Sequence, residues 1–153
     1  MKTFFQSFKT KILLLSFIFL STVTLFAQEP FEDSVVITKT DNNLQWGACP
    51  DFMPAGCEIA VLHGDPGKMN ADVFFKVPAN TLIPNHKHTS AERMVLVSGE
   101  LEVTYKGEDS QILREGSYAY GPAKKPHSAK CGDLPCVLFI AFEEPVDAFA
   151  VEE

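Results

Sequence analysis

The sequence predicts an all-β sandwich or barrel, and three observations carry that prediction. Beyond residue 27 the apolar residues fall in short runs rich in Val, Ile, Phe and Tyr, such as ADVFFKV at Ala71–Val77 and CVLFIAF at Cys136–Phe142. Gly and Pro turns separate these runs at roughly 8–12-residue spacing, the signature of many short antiparallel strands. Outside the N-terminal segment, no stretch has the 3.6-residue apolar period of an amphipathic helix.

Residues 1–27 form a segment of a different kind. Lys2, Lys9 and Lys11 precede the apolar run Ile12–Ala27, and Ala27 ends it as a small residue before Gln28-Glu29-Pro30. This order predicts a secretory signal cleaved near Ala27 and a periplasmic or secreted mature protein. A retained anchor is the alternative, although the run is short for a full span of roughly 20 residues. No Cys lies near the cleavage point to take a lipid.

Residues 28–57 read as an arm leading into the barrel domain at residues 58–153. Ser34–Lys39 (SVVITK) is expected to form one strand, and Trp46 to seal the side of the barrel or close one end of its cavity. The stretch from Cys49 to Cys57 holds two prolines and a glycine, so it reads as a loop. Strands are then expected at Glu58–Leu62, Ala71–Val77, Glu92–Val97, Glu100–Tyr105, Ser110–Leu113, Ser117–Tyr120 and Cys136–Phe142, with Thr81–Pro84 leading into His86. The region Cys131–Pro135 reads as a long turn, and the last residues as a tail or one helical turn.

Charge and cysteine content narrow the function classes. All 20 acidic residues lie beyond Ala27, whereas 3 of the 13 basic ones precede it, leaving the mature chain near −10 (10 minus 20). No basic stripe remains, which argues against nucleic acid and against an anionic membrane surface as partners. Four cysteines in an exported chain predict two disulfides. Of the three possible pairings, the local one, Cys49–Cys57 with Cys131–Cys136, is preferred. Neither spacing matches a C-x2-C zinc knuckle.

The chemistry concentrates in NHKHTSAERMVLV, Asn85–Val97. On a strand, side chains two apart share a face, so His86 and His88 point together and Lys87 points away. Glu92 follows after a short turn and can add a carboxylate. His127, in GPAKKPHS, is expected from a strand across the barrel. Three neutral imidazoles and one carboxylate suit Mn, Fe, Co, Ni or Zn, and leave such an ion a net charge near +1 with open positions. His63, in HGDPG, reads as a turn residue. Tyr118 and Tyr120 share a face by parity and are candidates to reach a metal-bound oxygen, with wall packing as the other assignment. Arg93 should face away from Glu92, as a surface or dimer charge. Phe74, Met94, Leu96, Phe139 and Phe142 are candidates for an apolar wall, some of them facing elsewhere.

The segment His86-x-His88-x3-Glu92, followed by Gly99, resembles the first motif of the cupin superfamily. Gly116 to Pro122 and then His127 resembles the second, and all four ligand positions match His86, His88, Glu92 and His127. Asn80 stands where a Gly often opens the first motif, Lys124 replaces a usual Gly in the second, and Cys131 stands where Asn is frequent. These departures suggest a differently shaped turn near the cavity mouth. The resemblance covers about residues 58–143 and implies a double-stranded β-helix, or jelly-roll, barrel, often a homodimer, with one divalent transition metal inside. Among small cupins the chain is similar to acetylacetone-dioxygenase-like and ChrR-like members. That kinship implies first a dioxygenase-like oxidoreductase on a small carbonyl, aromatic or thiol compound. The alternatives are a non-catalytic metal- or ligand-binding cupin and a Lewis-acid isomerase or lyase.

Overall fold

The computed structural model describes residues 31–152, so the expected signal and its cleavage point lie outside the described residues. The chain divides between Ser34 and Val35, and the second unit holds all the strands described here. One sheet joins six strands in the order β1 (Trp46–Ala48), β2 (Glu58–His63), β3 (Ala71–Val77), β10 (Cys136–Phe142), β5 (Glu92–Ser98) and β8 (Tyr118–Gly121). The other joins five, β11 (Phe149–Ala150), β4 (Leu82–Lys87), β9 (His127–Cys131), β6 (Glu100–Tyr105) and β7 (Gln111–Arg114). The ladders are antiparallel throughout. This is the all-β jelly roll that the sequence predicts.

Alternation builds the core. Along β5 every second residue from Glu92 to Ser98 is buried, so Met94 and Leu96 face the opposite sheet and Arg93, Val95 and Val97 face out. Leu96, Leu138, Val73 and Val77 are wholly enclosed between the sheets. Burying one such side chain stabilises the fold by roughly 1.5–3 kcal/mol. The same alternation carries Glu92, at the first position of β5, into the sandwich with the apolar residues.

Both expected disulfides are present, with Cα atoms 5.6 Å apart for Cys49–Cys57 and 5.9 Å apart for Cys131–Cys136. The turn at Gly99 is dictated by space and by backbone conformation. Its φ is 89°, and a Cβ there would lie 2.9 Å from the Pro135 carbonyl oxygen and 3.1 Å from the Cys136 sulfur. Asn80 and Lys124 also adopt positive φ, 56° and 62°. Both therefore take the left-handed conformation that a glycine would supply, and Lys124 donates its N–H to the His88 carbonyl at 2.8 Å.

Other expectations give way. Ser34–Lys39 forms no strand; Val35 and Val36 are exposed and no ladder partner borders them. A short β1 pairs with β2 instead. Of the two places expected for Trp46, closing the cavity gives way: it lies at the side of the barrel, on the outer face of β1, with the Lys76 ammonium 4.2 Å from its ring centroid. Cys131 ends a strand rather than opening a turn. The tail folds back as β11 to pair with β4.

Candidate metal centre

The site forms where the two sheets face each other. β4 supplies His86, and His88 follows one residue beyond its end. β9 is hydrogen-bonded directly to β4, with His127 in register opposite His86. His127 thus comes from the neighbouring strand of the same sheet, not from across the barrel. It is Glu92, on β5 of the opposite sheet, that crosses the sandwich. His86, His88, Glu92 and His127 are all buried, each 8% exposed or less.

Backbone carbonyls orient the three imidazoles. His86 Nδ1 donates to the Pro84 carbonyl at 2.7 Å, His88 Nδ1 to the Asp147 carbonyl, and His127 Nδ1 to the Lys125 carbonyl at 3.2 Å. With each Nδ1 occupied as a donor, each Nε2 is left as a lone-pair acceptor, the form in which histidine ligates a metal. The potential ligand atoms of the three lie within 4.8 Å of one another. Ligands at about 2.1 Å around one ion stand roughly 3.0–4.2 Å apart, so holding one would draw the three closer by up to about 1 Å each. Glu92 faces two of the imidazoles, Oε1 at 3.3 Å from His88 Nε2 and Oε2 at 3.4 Å from His127 Nε2.

Electrostatics favour the same occupant. Burial, reinforced by the neighbouring imidazole of His88, lowers the His86 pKa to about 4. Burial and the His86 ring lower that of His127 to about 3. Both rings are therefore neutral near pH 7. Burial pushes the Glu92 carboxyl up, and His88 pulls it partly back. The His88 Nε2 atom is enclosed and has no hydrogen-bond partner among the described residues. Such an orphan calls for an explanation, and a divalent cation supplies one: it would take that lone pair and favour the Glu92 carboxylate. The residues present fit such an ion.

A cavity of about 220 Å³ opens from the cluster. Ile59, Phe75, Ile83, Met94, Leu138 and Phe142 are among its walls, and Cys49, Pro50 and Met53 of the disulfide loop and Val146–Ala148 also border it. Among the described residues no Lys or Arg lines it. Of the wall candidates, Met94 and Phe142 line the cavity and Leu96 packs in the core beyond it. Phe74 and Phe139 sit opposite each other on the outer face. Tyr118 and Tyr120 do share a face, but it is the outer one, at 63% and 54% exposure. Gly121, which pairs with Glu92, fixes the inward parity of β8, so both hydroxyls point away from the site. They drop out as catalytic candidates. Arg93 lies on the outer face and pairs with Glu143. His63 ends β2 at the surface.

Two residues at the site carried no functional assignment in the sequence. Asp147 follows His88 by 59 positions, holds its Nδ1 through the main chain, and borders the cavity. Tyr105 lies in register with His127, the ring centroids 4.9 Å apart.

With this geometry in place, comparison with known proteins is informative. The sequence profile of the ChrR Cupin-like domain matches residues 34–145. The chain belongs to the ChrR cupin-like family. Of the two cupin kinships expected from the motifs, this is the one found. A curated relative, the dimethylsulfoniopropionate lyase DddQ of Ruegeria pomeroyi, is 24% identical over 104 residues, covering 66% of this chain and 52% of its own. The chain thus spans about half the length of that relative. The crystal structure of the same lyase superposes with a TM-score of 0.62 at 20% identity, over 71% of this chain and 61% of that one. The polyketide cyclase RemF from Streptomyces resistomycificus gives 0.65 at 14% identity, over 79% and 87%. At these identities the structural likeness is one of fold.

Proposed function

We propose that this cupin is a metal-dependent lyase, acting in the periplasm or outside the cell on a small molecule with an oxygen-bearing head. The observation that carries the proposal is the placement of Asp147. Among the described residues lining the cavity it is the one of ionisable type outside the His86–His88–Glu92–His127 set, the disulfide-bonded Cys49 aside. The likeness to a lyase supports the same reaction class.

His86, His88, Glu92 and His127 would hold the ion, which would polarise a carbonyl or carboxylate oxygen of the substrate and so acidify the neighbouring C–H. Asp147 lies beside them, its main-chain carbonyl accepting from His88 Nδ1 and its Oδ1 accepting the Thr89 N–H at 2.8 Å near the surface; a turn of this carboxylate towards the cavity would let Oδ2 take the proton. The C–H pair becomes the new C=C bond and the group on the next carbon leaves with its bonding electrons. At about 220 Å³ the cavity lies below the roughly 300–1,000 Å³ of ordinary ligand pockets, which limits the substrate to a compact compound. With no Lys or Arg among the described wall residues, an anionic end would depend on the ion held by the four ligands, and an aliphatic remainder suits Ile59, Ile83 and Leu138. The paired cysteines suit an oxidising compartment.

The experiment is alkene formation and leaving-group release on a panel of short carboxylates with thioether, sulfonium or hydroxyl groups at the β carbon. Metal-loaded wild type is expected to turn over at least one, and Asp147→Asn to lose 10²-fold or more while keeping its metal. Unimpaired turnover by Asp147→Asn removes the proposed base. Oxygen uptake on small diketones or thiols, without elimination, replaces the lyase with the dioxygenase-like enzyme.

A further inference from the structure

The Tyr105 hydroxyl is the second enclosed side-chain polar atom, with His88 Nε2, that has no hydrogen-bond partner among the described residues. Its position follows from register. Tyr105 on β6 pairs with His127 on β9, and His127 pairs with His86 on β4, so the three side chains form one inward row across neighbouring strands. The row continues in ring contacts, with centroids 4.9 Å apart for Tyr105–His127 and 4.2 Å apart for His127–His86. From there the phenol reaches towards the opposite sheet. Gly121 on β8 stands in register with Glu92 on β5, and it has no side chain to fill the space beside that carboxylate. A Cβ at Gly121 would lie 2.7 Å from the Tyr105 hydroxyl and 3.0 Å from Glu92 Oε2. The hydroxyl and the carboxylate oxygen therefore flank the same gap, and that oxygen also faces His127 Nε2.

We propose that Tyr105 is a positioning residue for Glu92: its hydroxyl donates to Oε2 when the carboxylate turns to a metal, and Gly121 is the gap that admits it. The inference rests on the metal-site reading. A donor on one carboxylate oxygen fixes which oxygen faces the ion, and losses of such supporting contacts typically weaken metal binding 10–100-fold. Among the described residues nothing pairs with this hydroxyl, so Tyr105→Phe breaks no hydrogen bond within them.

Purified Tyr105→Phe, Gly121→Ala and the double variant are titrated with Co(II), following both affinity and the visible absorption of the bound ion. Metal-free melting is recorded alongside. Tyr105→Phe is expected to melt no lower than wild type without metal, to bind Co(II) 10–100-fold more weakly and to shift its spectrum. Gly121→Ala is expected to weaken binding as well, because its methyl would press on both oxygens. Adding Tyr105→Phe to it should recover part of the loss, because the closer clash, at 2.7 Å, is then gone. Tyr105→Phe with wild-type affinity and spectrum overturns the positioning role while leaving the metal site standing. Tyr105→Phe that melts well below wild type without metal makes the residue structural and also overturns it. Wild type that takes up no Co(II) overturns the metal site and this inference together.

Discussion

Replacing His127 by Ala tests the centre most directly, because it removes one of three imidazoles while β9 keeps its ladders to β4 and β6. An ion that binds only the folded state stabilises it by RT ln(1 + [M]/Kd), about 4.1 kcal/mol at a thousandfold excess over Kd. For a domain of this size each kcal/mol moves the melting point by about 3–5 °C, so wild type should gain about 12–20 °C on metal addition. Losing a ligand weakens binding more than losing a supporting contact does, so a 100-fold drop is a floor. At that floor the same metal concentration gives about 1.4 kcal/mol, and after a thousandfold drop about 0.4 kcal/mol. His127→Ala should therefore gain about 7 °C at most, and near 1–2 °C if the loss is larger. The comparison uses the metal-dependent shift and not the absolute melting point, since truncating a buried ring leaves a cavity with a cost of its own. His63→Ala, at the surface end of β2, serves as control and should keep the full shift. Differential scanning fluorimetry with Mn, Fe, Co, Ni and Zn reads all three proteins. A full shift in His127→Ala, or none in wild type with any of the five ions, refutes the assignment.

Four further outcomes follow from the packing and the charges. Metal-free protein should lose stability in acid. The unfolded chain protonates His86 and His127 below their ordinary 6.5, whereas the folded chain resists until about 4 and about 3. Stability present above pH 6.5 is thus lost as pH falls towards those values, by a few kcal/mol in urea titrations. Glu92, raised by burial, works the other way above its ordinary 4.5, so Glu92→Gln should steepen the loss. Leu96→Ala, at a wholly enclosed position, should cost about 2–5 kcal/mol by the same assay. Reducing both disulfides should cost about 4–5 kcal/mol by loop entropy, from sequence separations of 8 and 5, read as the change in urea midpoint with and without a thiol reductant. Lys124→Gly should raise stability by up to about 1 kcal/mol, since a glycine adopts φ 62° without strain; a lower melting point would refute that account.

The parts of this molecule that were legible in its sequence are those governed by local periodicity. Alternation placed His86 and His88 on one face, and β3, β6 and β10 fall on the expected residues because Pro78, Gly99, Gly107 and Pro135 punctuate them. Alternation fixes relative faces only. It set Tyr118 and Tyr120 together, yet which face they took depends on β8 pairing with β5 so that Gly121 meets Glu92. That choice is made by a partner strand about thirty residues away, and no pattern within YAYG contains it. The same limit explains His127, a neighbour of His86 by ladder register rather than a ligand from the far wall. It explains Tyr105 and Asp147 as well. One enters the site through the β6–β9–β4 row, the other because the tail returns as β11 alongside β4 and brings its carbonyl to His88. Local spacing therefore exposes His86, His88 and Glu92, three of the residues that would hold an ion, which the first motif keeps close in sequence. The residues that would orient it, and that would move a proton beside it, are brought in by long-range pairing. A reaction class depends on that second group, which is why the metal could be argued from spacing and the base could not.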